Sequence, residues 1–130
     1  AELVGRFRRP RRGLAAVALT TDSSALTAIG NDFGFERVFA RQVEALGSPG
    51  DVAVAISTSG DSPNVLAGVE AAQRAGMPVI GLTGGRGGKL RRAVDVAVVA
   101  PSDVTARIQE CHIAVLHALC EAVDAALTGD

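Results

Sequence analysis

The chain has 130 residues, 48% of them hydrophobic, and a formal net charge of −1 at pH 7. This length supports one domain around one buried core, and the near-neutral charge gives no general attraction to nucleic acid or to an anionic membrane. No apolar run reaches the ~20 residues of a membrane span and no signal segment opens the chain, so we expect a cytoplasmic protein with no nucleic acid and no membrane as partner.

Apolar runs and turn signals alternate through the first half of the chain. Residues 14–19 are continuously apolar and predict a buried strand, and residues 23–29 predict a short helix that ends at residues 30–32. Residues 36–46 have helical spacing, and Gly47 is typical of the end of such a helix.

The second half of the chain continues the alternation. Residues 52–56 are an apolar run typical of a parallel strand covered on both faces, so we expect a central strand here. Ser62 as N-cap and Pro63 at the first helical position begin a helix that ends near Gly76. The remaining predictions are strands at 78–82 and 94–99, a flexible glycine-rich connection at 83–88, a turn at 89–93 and a long helix at 105–127.

The last predicted helix contains both cysteines. Cys111 and Cys120 are nine residues apart, so about 13 Å would separate them along the helix axis. That distance is too long for a disulfide, and the spacing is not one that zinc sites use. We expect both to be reduced packing residues. The apolar side of this helix carries Ile108, His112, Val115, Leu116, Leu119 and Val123.

The order of these elements predicts an α/β fold, a three-layer αβα sandwich with a mostly parallel, doubly wound sheet. The first residues are typical of the tail of a helix, with no strand before them. We therefore expect residues 1–130 to form one domain that lacks its N-terminal helices and first strand.

The strongest local signal is a hydroxyl-rich loop at residues 57–62, which we call the serine loop. It joins the end of a predicted strand to the N-terminus of a helix. Such a place offers unpaired backbone N–H groups, the positive end of a helix dipole and hydroxyl donors, all of which suit a phosphate. Taken alone, the residues leave a second interpretation open, in which Ser62 is only a cap and the other serines are turn residues.

The serine loop resembles the phosphate-binding signature I-S-x-S-G-x-[ST] of sugar isomerase (SIS) domains, and other motifs resemble the phosphoheptose isomerase branch of that family. The match runs from Glu2 to about Val123. The resemblance implies a flavodoxin-like fold and an aldose–ketose isomerase acting on sedoheptulose 7-phosphate, for heptose nucleotide and cell-surface glycan synthesis. The matching pieces are Glu2-Leu3 with Gly5-Arg6, residues 30–34, Leu82-Thr83-Gly84 with Gly87-Gly88, and residues 107–110 followed by His112 and His117.

The resemblance also implies roles for individual residues. Glu2 would act as the base and His117 as the acid, and together with Gln109 they would supply three of the four ligands of a zinc ion. The residues expected to bind the sugar phosphate substrate are Asn31, Asp32, Ser57, Thr58, Ser59, Ser62 and Gln109.

Some elements of the family pattern are not found in these 130 residues. An Asn-Gly-Gly-Ser phosphate loop and a metal-ligand histidine would lie upstream of Ala1, and Ala106 stands where the family often has an acidic residue. We therefore expect one zinc ligand to be missing and the 130 residues alone to be weakly active or inactive.

The residues themselves are consistent with isomerase chemistry. Moving a carbonyl between C1 and C2 of a sugar requires taking a proton from one carbon and returning it to the other through an enediol. One carboxylate and one imidazole suffice, and a metal is not required. Taken singly, Glu2 is typical of an exposed charge and His117 of a core or interface histidine, but their joint match favours catalysis.

Two further alternatives come from the same family: an adaptor that binds the bacterial replication initiator, and a sugar-phosphate-binding regulator. The adaptor branch lacks the equivalents of Glu2, Ser59 and His117, all of which this chain has. The arginine-rich residues 6–12 are typical of a solvated or interface segment; attraction of an anionic substrate is the second interpretation and a nucleic-acid role the third, given the near-neutral net charge.

The spacing of two site residues predicts an oligomer. Gln109 and His117 are eight residues apart, about 12 Å along a helix and about 80° around it. A single chain cannot easily bring both to one small centre. We therefore expect a homo-oligomer, a tetramer as in the resembling family, with active sites between subunits.

Overall fold

The computed structural model describes residues 1–128. Within these residues the helices are α1 (Ser23–Phe33), α2 (Val38–Leu46), α3 (Pro63–Arg74), α4 (Leu90–Ala93) and α5 (Thr105–Thr128), with a 3₁₀ turn at Phe35–Arg37. The strands are β1 (Ala53–Ile56), β2 (Val79–Gly84) and β3 (Val96–Ala100).

The three strands form one parallel sheet in the order β1-β2-β3. Ile56 lies opposite Leu82 and Gly84 lies opposite Ala100, so the carboxyl ends of the strands meet at one edge of the sheet. On one face α3 packs against β1 and β2, with α2 against α3, and on the other face α5 packs against β2 and β3. The predicted α/β architecture is confirmed.

The core lies between the sheet and helices α2 and α3, and its side chains are mostly small. A Cβ atom added to Gly68 would lie only 3.2 Å from the Cβ of Phe39, so the glycine allows these helices to approach closely. The buried residues of this cluster are Ala40, Val43, Val69, Ala71, Ala72, Val79 and Leu90.

Residues 14–19 do not form the predicted strand. The segment has no strand structure, and Val17 is 73% exposed. An apolar run shows that a segment is able to enter a sheet, but a strand also needs a neighbour for its backbone hydrogen bonds. No strand within residues 1–128 pairs with this segment.

The strand predicted at residues 52–56 was expected at the centre of the sheet and covered on both faces, and both expectations are wrong for the described residues. β1 lies at an edge, and Val54 and Ile56 are each 45% exposed. An apolar run predicts a strand, whereas strand order depends on partners that are distant in sequence.

Two smaller boundaries also differ from the prediction. α1 continues through Asn31 and Asp32 because the chain leaves helical geometry only at Gly34, where φ is 83°. β2 includes Thr83 and Gly84, which were expected in a flexible connection.

Within residues 1–128, no helix is both long enough and apolar enough to cross a membrane.

Candidate active site

The serine loop follows the carboxyl end of β1 and is tied to β2 by backbone hydrogen bonds. The N–H of Ser57 donates to the carbonyl of Leu82 over 3.0 Å, and the N–H of Gly84 donates to the carbonyl of Thr58 over 3.1 Å. The Ser57 hydroxyl lies 2.9 Å from that of Ser62 and 3.4 Å from that of Ser59. Three of the four predicted phosphate-binding hydroxyl side chains therefore converge.

The serine loop, which leads into the N-terminus of α3, has free backbone hydrogen-bond donors. Ser62 is the N-cap and Pro63 the first helical residue, as predicted, but the Ser62 hydroxyl makes no capping hydrogen bond and contacts Ser57 instead. Within residues 1–128, the backbone N–H groups of Thr58 and Ser59 make no hydrogen bond. Free N–H groups at the positive end of a helix favour an anion.

Gly60 fixes the turn of the serine loop. Its φ is 73°, and a Cβ atom there would collide with the backbone of Gly87. The carbonyl of Gly60 accepts a hydrogen bond from Leu90 at 2.9 Å, and the Asp61 carboxylate accepts one from the N–H of Lys89 at 3.0 Å. The glycine-rich connection at residues 83–88, which was expected to be flexible, thus packs against the serine loop.

A cavity of about 280 Å³ opens beside the serine loop at the carboxyl edge of the sheet. Sequence reasoning missed its charged residues, Arg86 and Asp103, and also Thr105. The signal that identifies them is position, because each follows the end of β2 or β3, where parallel α/β folds bind ligands. The lining residues are Thr58, Ser59, Gly84, Gly85, Arg86, Asp103, Thr105 and Ile108.

Asn31 and Asp32 lie apart from this cavity. Both are exposed near the end of α1, and the Asn31 amide donates to the Asp32 carboxylate over 2.8 Å. Neither lines the cavity, so within the part of the chain that the structure describes they are not brought to the serine loop.

His112 secures α5 to the sheet. Its side chain is 3% exposed, and Nε2 lies 3.0 Å from the carbonyl oxygen of Thr83, to which it donates. The expected apolar side of α5 is confirmed at His112 and at Ile108, which is 4% exposed.

The first 14 residues, which we call the N-terminal strap, lie against the second half of α5. The Phe7 ring centroid is 5.2 Å from that of His117, and Arg8 pairs with Glu121. Residues 117 and 121 are one helical turn apart and so share a face of α5. The strap therefore follows the face that carries His117.

Residues 6–12 were expected to be a solvated or an interface segment, and the first of these interpretations is wrong for Arg11. Its side chain is only 6% exposed and pairs with Asp124, which is 3% exposed, at 2.5 Å. Burial of both charges makes this contact different in kind from an exposed surface pair.

Glu2 belongs to the strap whose Phe7 contacts His117. The pKa of its carboxyl is lowered, first by a hydrogen bond from its own backbone N–H, next by the amino group of Ala1, and least by His117. The lowered pKa favours the ionised carboxylate, which is the form that a general base requires. Burial raises the pKa of the Cys120 thiol, and the negative charges of Glu2 and Asp124 raise it further.

Both cysteines are free, as predicted. Cys120 is half-buried and packs as expected, whereas Cys111 is exposed and does not.

The proposed zinc ligands do not fit one ion within a single chain. Gln109 and His117 lie on one continuous helix, about 12 Å apart along its axis, whereas ligands bind zinc at about 2.0–2.3 Å. Among the residues described, no group of three His, Cys, Asp or Glu side chains is placed to hold a metal ion.

Comparison with known proteins places the chain in a family. The sequence model of the SIS domain matches residues 1–84. A phosphoheptose isomerase from Bordetella avium is 58% identical over the whole chain, which covers 68% of that relative. The chain belongs to the phosphoheptose isomerase branch of the SIS domain family. A phosphoheptose isomerase from Roseiflexus is 59% identical over 98% of this SIS domain, which covers 64% of that relative.

Solved structures agree with this assignment. The structure of a phosphoheptose isomerase from Francisella tularensis has a TM-score of 0.90 at 45% identity, over 95% of this chain and 66% of that one. The enzyme from Neisseria gonorrhoeae has a TM-score of 0.85 at 57% identity, over 87% of this chain and 63% of that one. This SIS domain thus spans about two thirds of the length of the relatives it matches.

Proposed function

We propose that this SIS domain acts in an aldose–ketose isomerase that converts sedoheptulose 7-phosphate to D-glycero-D-manno-heptose 7-phosphate, for heptose nucleotide and cell-surface glycan synthesis. Relatives that are 58–59% identical bear the name phosphoheptose isomerase. The observation that carries the proposal is that the strap carrying Glu2 lies along the face of α5 that carries His117, held there by the Arg11–Asp124 pair and by the contact of Phe7 with His117. A carboxylate and an imidazole in one place are the acid–base pair that this reaction requires.

The chemistry follows from these two groups. The Glu2 carboxylate takes a proton from C1 of the ketose, and protonated His117 donates a proton to O2, which gives the enediol. His117 then accepts the proton of the O1 hydroxyl while Glu2 returns its proton to C2. The product is an aldose with its carbonyl at C1, and both side chains regain their starting states.

The serine loop is proposed to hold the 7-phosphate. Converging hydroxyl groups, two free N–H groups and the N-terminus of α3 support this role. Crystals soaked with sulfate or with the sugar phosphate test it. We expect density at residues 57–62, and density elsewhere with the loop empty would contradict the assignment.

We further propose a homo-oligomer, a tetramer, with active sites shared between subunits. Ile108 lines the cavity beside the serine loop, whereas His117 lies nine residues further along α5. The proposed acid is therefore about 13 Å along the helix axis from the cavity residue of the same chain. The surface of the chain is 7977 Å², against about 6,400 Å² for a compact monomer of this mass. Light scattering at decreasing concentration is the test, and a monomer that stays active at nanomolar concentration would exclude the shared site.

Zinc is proposed only for such an assembly, in which Glu2, Gln109 and His117 need not come from one chain. The metal content of the purified oligomer, measured by plasma mass spectrometry, tests this. Zinc bound equally by monomer and oligomer would contradict it. The cytoplasm is the proposed location, since two free thiols suit a reducing compartment.

The activity assay follows sedoheptulose 7-phosphate conversion by this SIS domain fused to the upstream segment of the Bordetella relative. Turnover is expected. Binding of the sugar phosphate without turnover would instead support a regulator. If the fused protein shows neither binding nor turnover, both functions are overturned.

A further inference from the structure

The N-terminal strap carries the proposed base, yet its own backbone structure is sparse. Two backbone hydrogen bonds join its residues, Gly5 N–H to the Ala1 carbonyl at 2.8 Å and Leu14 N–H to the Leu3 carbonyl at 2.9 Å. No helix or strand includes it. The position of Glu2 therefore depends on what the side chains of the strap contact.

Arg11 uses all three of its guanidinium nitrogens in this region. Nη2 donates to the carbonyl of Glu2 at 2.8 Å, and Nη1 donates to the carbonyl of Leu3 at 2.9 Å and to that of Arg12 at 3.1 Å. Nε donates to the carboxylate of Asp124 at 2.5 Å. One planar group thus joins the backbone that carries Glu2 to a buried acid on α5.

The helix fixes the other end of this connection. Asp124 is seven residues after His117, which is about two turns, so the two residues lie on the same face of α5. Phe7, in the same strap, adds a ring contact to His117 at 5.2 Å between centroids. We propose that Arg11, held by Asp124, is a positioning residue that fixes the Glu2 backbone relative to His117.

Arg8 offers a matched control. It pairs with Glu121 on the same face of α5, but the two side chains are 70% and 56% exposed. Arg8 makes no hydrogen bond to the backbone of the strap within residues 1–128. An effect of strap charge in general would appear in both arginines, whereas a positioning role is specific to Arg11.

The activity part of the test rests on the proposed function and uses Arg11→Lys and Arg8→Lys in the fused enzyme. Lysine keeps the positive charge opposite Asp124 but has a single nitrogen, so it cannot reproduce the planar fork of donors. We expect Arg11→Lys to lower kcat at least tenfold with KM changed less than twofold, since the serine loop is untouched. Arg8→Lys should stay within twofold of the parent in both constants.

A second readout does not depend on activity. Hydrogen exchange followed by mass spectrometry, on the same two variants, reports on the two hydrogen-bonded amides of the strap, Gly5 and Leu14. Their exchange should be accelerated at least tenfold in Arg11→Lys, with α5 unchanged, and should not change in Arg8→Lys. Unchanged exchange in Arg11→Lys overturns the inference, as does a loss of kcat that only follows the folded fraction measured by circular dichroism. If the parent enzyme shows no turnover, the proposed function fails, and the exchange data still decide whether Arg11 holds the Glu2 backbone.

Discussion

The serine loop and the N-terminal strap are held by different kinds of interaction. The loop is fixed by backbone hydrogen bonds to β2 and by the close approach of Gly60 to Gly87. The strap is fixed mainly by side chains, among them Arg11 and Asp124, which are 113 residues apart in sequence. The proposed phosphate site is thus built into the sheet, whereas the proposed acid–base pair depends on one long-range buried contact.

The largest effect is expected where the strap is anchored. Asp124→Ala leaves the Arg11 charge buried without its carboxylate, which costs about 3–5 kcal/mol of unfolding free energy. Glu121→Ala removes the exposed pair with Arg8 and should cost about 0–1 kcal/mol. Urea unfolding of both variants measures the difference, and equal losses would show that burial does not distinguish the two pairs.

The second-largest effect is expected on turnover, at the proposed acid–base pair Glu2 and His117. Glu2→Gln and His117→Ala should each reduce turnover at least ~100-fold, equivalent to about 2.7 kcal/mol. Glu36→Gln, at an exposed residue of the 3₁₀ turn, is the control and should leave turnover unchanged. Unchanged turnover in either test variant removes that residue from the mechanism.

A pair of glycine substitutions examines the backbone of the serine loop. Gly60→Ala places a Cβ at positive φ and against Gly87, and should cost at least about 1–3 kcal/mol of stability and weaken phosphate binding. Gly30→Ala, in the middle of α1 with no atom within 4 Å of the added Cβ, should instead stabilise by about 0.5–1 kcal/mol. Thermal unfolding decides, and the same sign for both would contradict this account of the loop.

The smallest effect is expected for one hydroxyl group of the loop. Ser62→Ala should weaken binding of inorganic phosphate about three- to tenfold, since it removes one hydrogen-bond donor and leaves the backbone in place. Ser24→Ala, at an exposed serine of α1, should not change the affinity. Calorimetric titration measures both, and an unchanged affinity in Ser62→Ala would remove this hydroxyl from the site.

The serine loop and the N-terminal strap also differ in how well the sequence predicted them. The strand, loop and helix around residues 52–75 were predicted nearly to the residue, because apolar runs, Ser62-Pro63 and Gly76 are local signals. The strap was predicted only as a basic segment, since nothing near Arg11 indicates a partner in α5. The false strand at residues 14–19 has the same cause, because strand pairing requires a distant neighbour.

Apart from the false strand at residues 14–19, the sequence by itself determined the succession of strands and helices along the chain, the parallel α/β architecture and the identity of the family, since each depends on patterns within a few residues or on motifs in order. Only the tertiary structure decided that β1 lies at an edge of the described sheet, that Arg86 and Asp103 line the cavity, and that Arg11 is buried against Asp124. The physical reason is that local hydrogen bonding and periodicity act between neighbours in the chain. Burial of a charge and the order of strands within a sheet are properties of segments that meet only after folding.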